Sequence, residues 1–208
     1  MRKMRQQEQS RRWFMGLFML GVVGVLTACA SHGGEGCGGV EDLVSCVTIT
    51  EIQPTATAGG DTSDVDVIQD DCNPGAGVDP ELFTKTDALI TFVNQTHPSA
   101  AGSLDVTLER MRVTYNVNNC PPSAFCPPLP AIDEPVSLDI PEDSTVEDTF
   151  DLVPISTKQD FVRLGGSADA FPTYTANYAF RARTQFFQDT FTIEGSVSIV
   201  LGHFLVCQ

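Results

Sequence analysis

The sequence predicts an all-β protein built as an antiparallel β-sandwich, with a partly closed β-barrel as the alternative architecture. Three observations carry the prediction. Apolar and polar residues alternate with period two in about seven to nine short segments. Gly, Pro, Asn and Asp punctuate the gaps between them, and only one segment has helical spacing. Regularly spaced short strands with almost no helix are the pattern of two packed sheets.

The segments follow in order. VTITEI (47–52) alternates, and so does DVDVI (64–68), which places Asp64 and Asp66 toward solvent between Val65 and Val67. DALITFV (87–93) is nearly continuous in apolar residues and suits a strand buried on both faces. LDVTL (104–108) puts Leu104, Val106 and Leu108 on one face, whereas RMRVTYNV (110–117) moves to Met111, Val113, Tyr115 and Val117. Such a phase switch predicts a β-bulge, because one extra residue reverses the facing of all that follow. PVSLDI (135–140) and TFDLVPI (149–155) continue the β pattern. STKQDFVRLGG (156–166) predicts one short helix near 157–164, with Ser156 and Gln159 at capping-box spacing and Gly165 as its stop.

The last two segments are the clearest. YAFRARTQF (178–186) alternates Tyr178, Phe180, Ala182, Thr184 and Phe186 against Arg181, Arg183 and Gln185. TFTIEGSVSIVLGHF (190–204) places Phe191, Ile193, Val197, Ile199 and Leu201 on one face, and His203 reads as an ordinary position of that strand. The short Gln188-Asp189 link predicts a long antiparallel hairpin.

The first residues have a different character. MRKMRQQEQSRRWF carries five basic residues against Glu8, and an apolar run of sixteen follows from Trp13 to Ala28. A spanning helix needs about twenty apolar residues. A basic segment, a short apolar core and small residues at its end make a secretory signal. Leu26-Thr27-Ala28-Cys29 resembles the lipobox of bacterial lipoproteins (L-[AST]-[GA]-C). That resemblance implies cleavage before Cys29, a diacylglycerol on its sulfur and an acyl chain on its amine. Two or three chains anchor firmly, where one is marginal. Ala30 stands where many inner-membrane lipoproteins carry aspartate, so the resemblance favours the outer membrane. Ser10-Arg11-Arg12-Trp13-Phe14-Met15 also resembles the twin-arginine export signal, leaving both export routes open.

Domain organisation follows: a signal peptide over 1–28, a Gly-rich tether over 29–39 and a single β-sandwich over 40–208. An immunoglobulin-like topology is the expectation for the sandwich. In overall architecture the mature part resembles uncharacterised bacterial lipoproteins with such domains. Removing residues 1–28 takes Lys and Arg from 12 to 7 and Asp and Glu from 27 to 26, moving the net charge from −15 to −19. So acidic a body excludes nucleic-acid binding, which rests on phosphate neutralisation by Lys and Arg. Anionic lipid headgroups would repel it, so the lipid anchor is the expected membrane contact, and another envelope protein the expected partner.

Beyond Cys29 there are six cysteines: Cys37, Cys46, Cys72, Cys120, Cys126 and Cys207. An even number in an exported chain predicts disulfides, with fifteen connectivities open. Proximity in sequence favours Cys37–Cys46 and Cys120–Cys126, leaving Cys72–Cys207. No CxxC or CxxCH occurs, and His32, His97 and His203 are scattered, which argues against zinc, iron–sulfur and haem.

Two segments are candidate binding sites. CPPSAFCPPLP (120–130) holds five prolines and a small disulfide candidate, with Phe125 at its tip. It reads as a rigid recognition loop, which loses little entropy on docking, or as a stiff connection with Phe125 folded inward. GGDTSDVDVIQDDCNPG (59–75) gathers Asp61, Asp64, Asp66, Asp70 and Asp71, which are calcium candidates without EF-hand spacing. Otherwise no cofactor is expected. Catalysis has little support: no GxSxG elbow occurs, and no acidic pair stands out. The leading expectation is therefore a binding or assembly module without catalytic activity. The alternative is an extracytoplasmic hydrolase or metal-dependent enzyme on a β scaffold. Tyr115, Tyr174 and Tyr178 are the remaining sugar-stacking candidates, and Asn94-Gln95-Thr96 matches a glycosylation sequon that reads as coincidental in a bacterial lipoprotein.

Overall fold

Period-two alternation becomes strands wherever one face of a segment can be buried. The computed structural model describes residues 45–55, 63–69, 83–96, 104–185 and 190–204, all inside the compact unit His32–Gln208. The described strands are β1 (Ser45–Pro54), β2 (Asp64–Asp66), β3 (Thr86–Thr96), β4 (Val106–Asn119), β5 (Ile132–Ile140), β6 (Thr145–Val153), β7 (Thr173–Thr184) and β8 (Thr190–Gly202). One helix, α1 (Ile155–Arg163), joins β6 toward β7. Cys29, Cys37, Cys72, Cys207, Asp61, Asp70 and Asp71 lie outside the described residues.

The strands form two sheets, one in the order β1-β3-β6 and the other β2-β8-β7-β4-β5. Pairing is antiparallel except between β2 and β8, which run parallel. With β1, β3 and β6 in one layer and β4, β7 and β8 in the other, this is an immunoglobulin-like sandwich. Its sides are drawn together, since β1 also packs along β8 and β5 reaches β3. Gly195 makes the first approach close: a Cβ there would come within 2.9 Å of Ile52 Cδ1 and 3.0 Å of Ile49 Cδ1.

The bulge in β4 falls where the alternation switches phase. Pairing with both β5 and β7 shifts register between Leu108 and Arg110. Leu108 and Met111 consequently both face the core. Glu109 and Arg110 both fall on the outer side, where Glu109 bridges Arg183 at 3.0 Å and Arg181 at 3.7 Å, and Arg110 pairs with Asp133. Arg110 lies directly opposite Arg181. Glu109 in the bulge and Asp133 on β5 thus offset a like-charge pair that would otherwise weaken the sheet.

The core lies between the layers. Phe92 of β3, Phe150 of β6 and Phe180 of β7 meet edge to face, with centroids 5.0–5.9 Å apart. All three tyrosines of the chain are buried here. Their hydroxyls donate to carbonyl oxygens, Tyr115 to Leu152, Tyr174 to Pro127 and Tyr178 to Asp151. They are structural residues and cannot stack on a sugar, which closes that reading.

Four other expectations are corrected. β3 is buried on one face only: Ala88, Ile90 and Phe92 are inward, while Leu89 and Val93 are half-buried on the outer side. Its three-stranded sheet has no layer over that side among the described residues. Asp66 is buried rather than solvent-facing, because β2 pairs with β8 and brings its carboxylate against chain leaving β8. There Oδ1 accepts the Phe204 amide at 3.0 Å and the Ile68 amide at 3.4 Å. The capping box does not form: α1 begins two residues earlier, with Pro154 rather than Ser156 at its N-cap and no side-chain cap. Pro154 is preset for this boundary by its fixed φ. Finally, β8 stops at Gly202, so His203 lies beyond the strand.

Burial pushes the Tyr174 hydroxyl up to about 12, and raises Tyr115 and Tyr178 further by the same cause. A tyrosine raised in the fold contributes stability that is intact below its unfolded value near 10 and is lost as pH rises through the folded value. Absorbance at 295 nm should therefore show no tyrosinate while the fold persists at pH 10, and then one cooperative rise coincident with loss of β-sheet circular dichroism. A gradual rise at pH 10 with the sheet intact would contradict the burial of these hydroxyls.

Candidate functional site

The loop between β4 and β5 and the connection from α1 to β7 emerge at the same end of the sandwich, because Asn119 pairs with Thr173. Proline fixes backbone angles in the first of these, and Cys120–Cys126 closes it, with an S–S distance of 2.08 Å and Cα atoms 6.0 Å apart. The Ala124 amide donates to the Pro121 carbonyl, making a tight turn inside the ring. Leu129 is buried, and the Tyr174 hydroxyl holds the Pro127 carbonyl at 2.9 Å. Phe125 stands between these anchors. Its amide donates to Ser167 Oγ at 2.9 Å, and its carbonyl accepts the Ser167 amide at 3.0 Å. Both backbone polar groups are thus satisfied while the residue is 55% exposed. Of the two readings of this loop, the outward one is observed.

Ser167 is delivered there by the end of α1. Gly165, at φ +85°, is the left-handed residue after the helix. The Gly166 amide returns to the Phe161 carbonyl and the Gly165 amide to Val162, which together make a Schellman motif. Gly166 is also constrained by packing, since a Cβ would meet the buried Phe161 ring at 2.5 Å. A 3₁₀ turn (Ala168–Ala170) follows, then Phe171 at φ +50°. A bulky residue in the left-handed region is a strained outlier. Phe171 is 45% exposed, and its ring tilts against Phe204 at 5.3 Å, over Gly202.

Along the Gly166–Ala170 segment lies an open cleft of about 490 Å³, lined also by Ile68 and His203. His203 Nδ1 stands 3.3 Å from Asp169 Oδ1, and the Asp169 carboxylate is largely in solvent. The cleft therefore combines a wall of small residues with a carboxylate beside an imidazole, and two exposed phenylalanines adjoin that wall, Phe125 through its backbone bonds to Ser167 and Phe171 one residue after Ala170. It can hold an apolar group against rings and a polar or cationic group at Asp169.

Sequence reasoning found Phe125 and the small disulfide, and missed Phe171, Asp169 and His203. The one available signal was Phe171-Pro172 following a Gly-Gly pair, a dense cluster of turn residues. Of the disulfide candidates, Cys120 and Cys126 are joined, and Cys46 at the start of β1 is disulfide-bonded. Of the calcium candidates, Asp64 and Asp66 flank Val65 on β2, and Asp66 is engaged with backbone amides as described. No cluster of three or more metal-ligating side chains occurs among the described residues.

A second group of charges lies at the side of the sandwich. Lys85 pairs with Asp151 and stands 3.0 Å from Asp87 Oδ1, close enough for an ion pair although that oxygen receives no directed hydrogen bond. The nearby carboxylates of Asp151, which it hydrogen-bonds, and then of Asp87 push its ammonium well above the usual lysine range, so it stays a cation and no base. Burial, and then Asp151, raise the Glu134 carboxyl across on β5. No protein family, curated protein or solved structure matches this chain.

Proposed function

We propose that this chain is a lipid-anchored binding or assembly module of the bacterial cell envelope, without catalytic activity, that engages another envelope protein through the Phe125 end of its sandwich. The observation that carries the reading is an exposed phenyl ring on a backbone clamped at both its polar groups and closed by a disulfide. Such an element has lost its freedom before docking and keeps its apolar surface available. Strand-edge pairing is less well supported. The edge strand β5 carries Pro135 and the inward-pointing Glu134, and β6 carries Glu147 and Asp148, devices that discourage strand addition. The anchor rests on Leu26–Cys29 alone, with diacylglycerol and an acyl chain on Cys29 and the outer membrane as the favoured site, facing the periplasm or the exterior.

Pull-down from detergent-solubilised envelopes tests the binding claim. Wild type is expected to retain a partner reproducibly, and Phe125→Ala to lose it with the thermal midpoint unchanged, since an exposed truncation costs within about 0.5 kcal/mol. Equal retention by the variant, or no reproducible partner, would contradict the reading. For the anchor, Cys29→Ser is expected to accumulate as an uncleaved precursor without lipid; normal processing of that variant would refute it.

A further inference from the structure

We infer that the cleft along Gly166–Ala170, next to Phe125 and Phe171, takes a cationic, apolar-rich peptide segment of the partner protein. The inference rests on the binding-module reading and deepens it by naming the chemistry of the ligand.

Three independent features converge on one surface. Ser167, in the cleft wall, holds the backbone of Phe125, and Phe171 directly follows the wall at Ala170. Both phenylalanines thus belong to chain that adjoins a trough built from Gly166, Ser167, Ala168, Asp169 and Ala170. Small side chains there let an extended peptide approach the backbone closely. Ile68 supplies apolar floor.

The second feature is strain. Phe171 occupies a left-handed conformation that glycine would adopt without cost. Packing against Phe204 and Gly202 covers one side of the phenylalanine, and nearly half of its surface stays in solvent. A strained residue that presents an aromatic ring to water fits recognition better than packing.

The third is charge. Asp169 is 92% exposed and projects into the cleft region beside His203. Among the described residues, no Lys or Arg lines the cleft. The nearest basic residue along the chain, Arg163, is held by Asp160 at 2.8 Å, and Lys158 is buried and donates to the Thr84 carbonyl. Four of the remaining basic residues, Arg110, Arg112, Arg181 and Arg183, stand on the outer side of β4 and β7. In a chain of net charge −15 the cleft attracts cations. A lysine or arginine of the ligand meets the Asp169 carboxylate and the faces of the phenyl rings, while a neighbouring apolar side chain fills the trough.

The test is a fluorescence-anisotropy titration with a fluorescein-labelled hexapeptide of alternating lysine and leucine, against its glutamate–leucine counterpart, at physiological salt. The lysine peptide is expected to bind saturably and the glutamate peptide not at all. Asp169→Asn and Phe171→Gly should each weaken binding by about tenfold or more. Phe171→Gly relieves the backbone, so its thermal midpoint should stay within a few degrees of wild type, about the scale of a small stability change. Glu147→Gln, on the outer side of the three-stranded sheet, should change affinity by less than about twofold, since exposed charges beyond a Debye length are screened. Equal binding by wild type and both cleft variants would overturn the inference, as would equal weakening by Glu147→Gln or absence of binding by the lysine peptide. If that peptide fails while Phe125→Ala still loses the envelope partner, the ligand chemistry falls and the binding module stands. If both fail, both readings fall.

Discussion

Phe180→Ala is expected to destabilise the domain by about 3–5 kcal/mol, the range for truncating a buried aromatic side chain. Phe180 projects from β7 into the interface between the sheets and is fully buried. It meets Phe92 at 5.2 Å and Phe150 at 5.0 Å, both edge to face, and Tyr178 lies stacked at 5.8 Å. Because Phe92 and Phe150 belong to the opposite layer, this one ring links β3 and β6 to β7. Removing it leaves a void bounded by strands that pair on both sides and cannot collapse inward. Small domains are stable by only about 5–15 kcal/mol, so the variant should retain a marginal fold. Urea denaturation followed by circular dichroism should show a lowered midpoint with an unchanged slope. Phe180→Leu keeps most of the apolar surface and should lose less. A midpoint for Phe180→Ala within error of wild type would contradict the assignment of the core.

Asn94→Ala is the second, with an expected cost of about 2–4 kcal/mol from carbonyls left without donors. Asn94 is 1% exposed, near the end of β3. Its Nδ2 lies 2.8 Å from the Leu104 carbonyl, 3.2 Å from Ile140 and 3.0 Å from Pro141. One amide thus ties the entrance of β4 and the exit of β5 to β3, across both sheets. The same group explains why the sequon is incidental: its nitrogen is inside the folded protein and fully engaged. Asn94→Asp is the sharper control, since it keeps the shape, removes the N–H donors and places a carboxylate against three carbonyl oxygens. It should be at least as damaging as alanine. Wild-type stability in either variant would show that these carbonyls find other partners.

How much of the molecule could be read beforehand depended on the range of the interaction. The β4 bulge was legible because facing is a local property: Leu108 and Met111 can share a face only if one residue is inserted between them. The Cys120–Cys126 link was legible because six residues of separation put the two sulfurs within reach. Gly165 was legible as a helix stop, since left-handed backbone favours glycine. Asp66 was not, because alternation gives the two sides of a strand but not which partner strand covers them. Its inward turn depends on β8, more than a hundred residues away, whose exit supplies the Phe204 amide.

The cleft was illegible for the same reason. Asp169 and His203 are 34 residues apart and meet only because β7 and β8 pair and α1 closes in a Schellman turn. His203 kept the alternation of β8 in sequence, yet the strand ends one residue before it. Phe125 was visible through the prolines and cysteines around it, whereas the Ser167 clamp that turns it outward was not.

Site-resolved photo-crosslinking in growing cells addresses the central claim most directly. A benzoylphenylalanine is placed singly at 125, 171 or 147, the last on the acidic outer side of the three-stranded sheet. The account predicts one discrete protein adduct of the same size from 125 and 171, and none from 147. Equal adducts from all three positions, or an adduct from 147 alone, would contradict it.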